Sequence, residues 1–101
     1  MPTVFVLSKL RKGTDPKKYE SWVREYDYPQ SKKIKSIVHY RTYRTIGALV
    51  GYPEYSYVEH IEINDVEEYK RDLETPVFKE LARQWSEFIE DGKLIFAEEI
   101  Q

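Results

Sequence analysis

Two short pairs, Asp15-Pro16 and Thr75-Pro76, limit what this chain can fold into before composition is considered. Each sets an N-cap side chain beside a proline in the first helical turn, where the missing N–H has no partner to lose. Tyr19, Trp22, Val23 and Tyr26 follow the first pair at i, i+3, i+4, i+7, the spacing of one buried helix face. Pro29 is expected to end or kink that helix. Asn64-Asp65, with Glu67 and Glu68 in the first turn, opens a second helix, and Thr75-Pro76 divides it at an elbow. Phe78, Leu81, Ala82, Trp85, Phe88 and Ile89 keep helical spacing beyond the elbow, and Gly92 is expected at the C-terminus.

The segments between read as strands: Thr3–Leu10 (TVFVLSKL), Ile37–Thr45, Tyr55–Ile63 and Leu94–Ile100. Gly47–Glu54, with two glycines and a proline, is a loop, and Ser31–Lys35 a basic turn. The order is β-α-β-β-α-β, a ferredoxin-like α+β arrangement with one domain over residues 1–101. Helices on one face of an antiparallel sheet leave the other bare. Phe5 and Leu7 lie on that bare face, so two sheets packed face to face would close a dimeric α+β barrel. A 101-residue chain has a thin core, which makes a homodimer a natural supplement.

Several classes are excluded. Without cysteine there is no disulfide framework, thiolate nucleophile or Cys-ligated metal. No apolar run reaches the length of a membrane span and no signal-peptide pattern precedes the first strand, so a cytoplasmic protein is expected. There is no G-x-G-x-x-G, Walker sequence or H-E-x-x-H. His39 and His60, the two histidines, lie on different strands without metal-ligand spacing, so no metal site is expected, and no axial ligand for a haem stands out. Aromatics make up 15% of the chain, which serves either a core of large side chains or a cleft for a flat ligand.

Strand parity picks out the candidate chemistry. Ile37, His39, Arg41 and Tyr43 fall on one face of the second strand, with Val38, Tyr40, Thr42 and Arg44 on the other. In the third strand Tyr57, Glu59, Ile61 and Ile63 share a face. If Ile61 and Ile63 face the helices, Glu59 is a buried carboxylate that must be paired or hold a raised pKa. Arg44 is its expected partner. The pair is either structural or a general base poised by desolvation. Asp27-Tyr28-Pro29 is either a helix stop or a carboxylate and phenol placed where the cleft opens.

W-V-R-E-x-D-Y-P in Trp22–Pro29, S-I-V-H-Y-R-T-Y-R-T-I-G in Ser36–Gly47, Y-V-E-H-I-E-I-N-D in Tyr57–Asp65, D-L-E-T-P in Asp72–Pro76 and the closing F-A-E-E-I resemble the RedY-like HapK family. The likeness covers roughly residues 15–100. It implies a small bacterial protein of pyrrole or indole pigment pathways, as in prodiginine or bisindole biosynthesis. Such a protein acts without a cofactor on a reactive aromatic intermediate, by proton abstraction or shift, dehydration or guided condensation, with a pathway enzyme as a possible partner. Asp27, Tyr28, Arg44, Tyr57 and Glu59 are the catalytic candidates carried over, on motif membership and strand parity. Tyr40, Trp22, Trp85 and His39 are the binding candidates.

Two other classes compete. A dimer that binds a ligand or partner without turnover would use the same cleft. An RNA-recognition-type module shares the element order, and residues 9–44 carry eleven Lys/Arg against four Asp/Glu. Against it, Y-S-Y-V-E-H-I-E-I stands where that family needs K/R-G-F/Y-G/A-F-V-x-F/Y, and Glu62 on the open face would repel phosphate. Residues 45–101 carry five basic and fourteen acidic side chains, an asymmetry that fits complementary faces within a fold or across a dimer as well as a nucleic-acid site.

Overall fold

A computed structural model describes all 101 residues. Four antiparallel strands, β1 (Pro2–Leu10), β2 (Ile37–Arg44), β3 (Tyr57–Ile63) and β4 (Ile89–Glu98), form one sheet in the order β2-β3-β1-β4. Helices α1 (Pro16–Trp22), α2 (Tyr28–Ser31), α3 (Val66–Asp72) and α4 (Pro76–Phe88) complete the ferredoxin-like α+β fold. None is long and apolar enough to cross a membrane.

The caps form as their side chains require. The Asp15 carboxylate accepts from the Lys17 N–H, that of Asp65 from the Glu68 N–H, and the Thr75 hydroxyl from the Phe78 N–H. β3 alternates strictly, with Tyr57, Glu59, Ile61 and Ile63 buried. Val4, Val6, Ile61, Ile63 and Tyr69 form one core cluster, and Tyr19, Val23, Tyr57 and Ile89 another. Trp85 packs against both.

Three expectations need correction. First, Pro29 does not end the helix. A π-helical turn at Val23–Asp27 joins α1 to α2, with the Tyr28 N–H bonded back to the Val23 carbonyl. Such a turn leaves room where Pro29 lacks an N–H, and it winds less per residue than an α-helix. Residues at a spacing of four therefore stay in line, and Tyr19, Val23, Asp27 and Ser31 form one buried row. A plain α-helix would drift sideways along such a row.

Second, α4 ends at Phe88 and Gly92 lies inside β4, opposite Ser8. A Cβ there would sit 2.3 Å from the Trp85 ring, so this glycine serves close packing rather than a helix end. Third, a bulge between Ile37 and His39 pairs Ile37 with Ile63, which moves Ile37 to the helix side, away from His39.

Only 16 of the 101 residues are buried, because the second face of the sheet has no cover. Phe5 and Ile95 pair across that face, and Phe5 stacks on His60 at 5.3 Å. In the β2–β3 loop Ile46, Leu49, Val50 and Tyr52 stand almost fully exposed.

Candidate functional site

Between sheet and helices lies a cleft of about 140 Å³, with Trp22, Trp85, Tyr69, Phe78 and Leu81 among its apolar lining. A dry apolar cavity of about 150 Å³ admits one benzene-sized ring. Asp27 and Glu59 are the acidic groups in this lining. They are 6% and 4% exposed, so each carboxyl is removed from water and must find partners within the protein.

Tyr40 supplies them. Its Oη lies 2.5 Å from Asp27 Oδ2 and also hydrogen-bonds Glu59 Oε1. Thr42 Oγ1 donates to the same phenol oxygen at 3.1 Å, and the Ser31 hydroxyl donates to Asp27 Oδ1 at 3.3 Å. A phenol has one proton and two lone pairs. Tyr40 can therefore donate to one carboxyl only, and the other must carry a proton of its own.

Burial, and then the charge of Asp27, push Glu59 up to about 8. Burial pushes Asp27 to about 6, against the hydrogen bonds from Tyr40 and Ser31. Burial raises Glu59 further than Asp27, which makes Glu59 the acid of the pair and Asp27 the base. An acid and a base thus stand in one apolar cleft, joined through a phenol held well above its ordinary pKa by burial.

Arg44 is not the partner of Glu59. The register sets Thr42 opposite Glu59 and Arg44 opposite Tyr57, so the guanidinium lies farther along the strand. Arg44 instead forms a two-armed pair with Glu20, at 2.8 and 2.5 Å, and the Tyr57 hydroxyl donates to the same carboxylate at 2.7 Å. These bonds hold Glu20 down at about 2. The Tyr28 hydroxyl accepts the Thr42 N–H at 2.9 Å, and its ring meets Tyr40 edge-on. Tyr28, Thr42, Arg44 and Tyr57 line a second hollow, also of about 140 Å³, with Glu20 and Arg24.

The structure therefore gathers Asp27, Tyr40, Glu59, Trp22 and Trp85 around the cleft. Tyr28, Arg44 and Tyr57 border the second hollow. His39 projects from the uncovered face, opposite Glu62 in register, and does not line the cleft. Asp27 is interior rather than at a mouth, because the π-turn rotates it inward. Sequence reasoning does not single out Glu20, Ser31 or Thr42 as site residues. The Asp27–Ser31 spacing of four was the available signal, visible only once the helix is known to pass Pro29.

The family described as REDY-like protein HapK matches residues 2–100. This chain belongs to that family. Among solved structures it is similar to HapK from Hahella chejuensis, at 27% identity and a TM-score of 0.83 over 99% of this chain and 93% of that one. Two further neighbours share the fold. A dimeric ferredoxin-like protein of unknown function from Thermobifida fusca aligns at 10% identity and a TM-score of 0.77, covering 97% of this chain and 90% of its own. SnoaB, a cofactor-independent oxygenase from Streptomyces nogalater, aligns at 17% identity and 0.78, covering 99% and 93%. No curated protein matches. It is a small HapK-family protein of ferredoxin-like fold.

Proposed function

We propose that this HapK-family chain catalyses a cofactor-independent proton shift on a pyrrole- or indole-type intermediate of bacterial aromatic natural-product biosynthesis, of the prodiginine or bisindole kind. The observation that carries this reading is the Asp27–Tyr40–Glu59 arrangement inside an apolar, ring-sized cleft. Asp27, as carboxylate, removes a proton from the bound ring, and Glu59, as acid, delivers one to another ring position. The substrate neither gains nor loses a proton overall. Afterwards Asp27 passes its new proton to Tyr40 while Tyr40 passes its own to Glu59, which restores the starting state. Trp22 and Trp85 provide the ring faces. One ring fills the cleft, so a second ring of a larger intermediate projects from it.

Arg44, Tyr57 and Tyr28 act indirectly in this scheme, by fixing the β2 edge through Glu20 and Thr42. His39 has no part in binding. The uncovered sheet face packs on a second copy, which fits the dimeric neighbour and the apolar Phe5 and Ile95. The homodimer works in the cytoplasm beside a pathway enzyme that supplies or takes the intermediate.

Titration of the tryptophan fluorescence with a panel of pyrroles, bipyrroles and indoles tests this reading. Saturable quenching by one class, weakened in Glu59→Gln, is the expected result. A flat response to every member would remove the aromatic-ligand reading, and RNA or protein partners would be tried next.

A further inference from the structure

The cleft side of the Asp27–Glu59 pair is lined mostly by apolar side chains, and a bound ring would cover the pair on that side. On its other side Tyr40 Oη accepts from Thr42 Oγ1 at 3.1 Å, and Thr42 is a wall of the second hollow. That hollow is polar: Glu20, Arg24 and Arg44 bring charges to it, and Tyr28 and Tyr57 bring hydroxyls. The Thr42 backbone is fixed by its N–H bond to Tyr28 Oη, at 2.9 Å, and by pairing opposite Glu59. Its hydroxyl is thus held between the buried phenol and a solvent-facing, ion-lined space.

We infer that Thr42 is the proton port of the acid pair, a relay residue that connects Asp27, Tyr40 and Glu59 with water in the second hollow rather than through the ligand cleft. Inward transfer is one concerted set of moves. Water in the hollow gives a proton to Thr42 Oγ1, Thr42 gives its own to Tyr40 Oη, and Tyr40 gives its own to a carboxylate. Every oxygen ends with the protons it began with, except the carboxyl, which gains one, and the water, which loses one. Outward transfer needs the Thr42 and Tyr40 hydroxyls to rotate and reverses the set. The inference rests on the reading of Asp27 and Glu59 as a proton-sharing pair. It adds that a pair covered by ligand still exchanges protons with solvent.

The test follows the Glu59 carboxyl proton as it exchanges for deuterium after rapid dilution into heavy water, read by stopped-flow infrared spectroscopy at the carboxylic C=O stretch. The band is assigned by its loss in Glu59→Gln. Thr42→Val, nearly the same shape without the hydroxyl, is expected to slow exchange by about tenfold or more, and Thr42→Ser to restore it. Exchange at the wild-type rate in Thr42→Val overturns the inference. So does a slowing caused instead by Ala82→Phe, which fills the cleft, because protons would then travel through the ligand side. If wild type shows no protonated carboxyl at neutral pH, the acid-pair reading itself fails and the port with it.

Discussion

Asp27 and Glu59, one on a π-helical turn and one in the middle of a strand, are bound to the same phenol oxygen. Neither element alone gives either residue a partner. The turn aims Asp27 inward, strand alternation buries Glu59, and Tyr40 on the neighbouring strand reaches both. Two buried carboxyls this close cannot both be charged at modest cost, so the pair keeps a proton at pH values where isolated acids have lost theirs.

Stability should therefore fall as pH rises. Folding raises Glu59 from 4.5 to about 8 and Asp27 from 3.8 to about 6, so within those windows the folded chain holds protons that the unfolded chain has released. That stability is fully present below the unfolded values and is lost as pH passes the folded ones. Between pH 6 and 8 the slope should approach, at most, about 1.4 kcal/mol per pH unit. Glu59→Gln, which cannot ionise, should flatten it. Urea titrations at a fixed protein concentration across this range check both, and a wild-type stability that rises from pH 6 to 8 would contradict the assignment.

Gly92 and Trp85 make a second checkable contact. A methyl group at Gly92 would lie 2.3 Å from the indole, so Gly92→Ala must displace a ring that joins both core clusters and lines the cleft. The expected loss is about 1–3 kcal/mol, with a shifted tryptophan emission maximum. Unchanged stability and emission would mean that β4 can move aside without cost.

The uncovered sheet face supplies a third prediction. Phe5 is 37% exposed and stacks on His60, and Ile95 lies beside it. An aspartate in place of Phe5 would have to lose its hydration in a face-to-face dimer. Sedimentation velocity should find a dimer for wild type and a monomer for Phe5→Asp, each with a native circular dichroism spectrum. A monomeric wild type at tens of micromolar would require a different cover for this face.

The element order was legible because its signals are local. The caps at Asp15, Asp65 and Thr75 depend on neighbours within three residues, and the alternation of β3 shows which of its side chains are buried. The burial of Glu59 followed from that alternation alone. Gly92 misled because tertiary packing overrode the common local use of glycine, and at Pro29 the helix is distorted rather than ended. The glycine faces a tryptophan from another element, and the proline sits beside a π-turn that no local rule signals.

What the sequence by itself determined is the alternation that buries an acid in β3, the helix starts, the bare apolar face and the family motifs. All depend on periods of two or 3.6 residues or on short-range hydrogen bonds. Only the tertiary structure decided whom that acid meets. Register places Thr42, not Arg44, opposite Glu59, and the π-turn brings Asp27 to Tyr40. Partnership between distant residues depends on strand register and helix rotation, and shifts of one residue or a fraction of a turn exchange one partner for another.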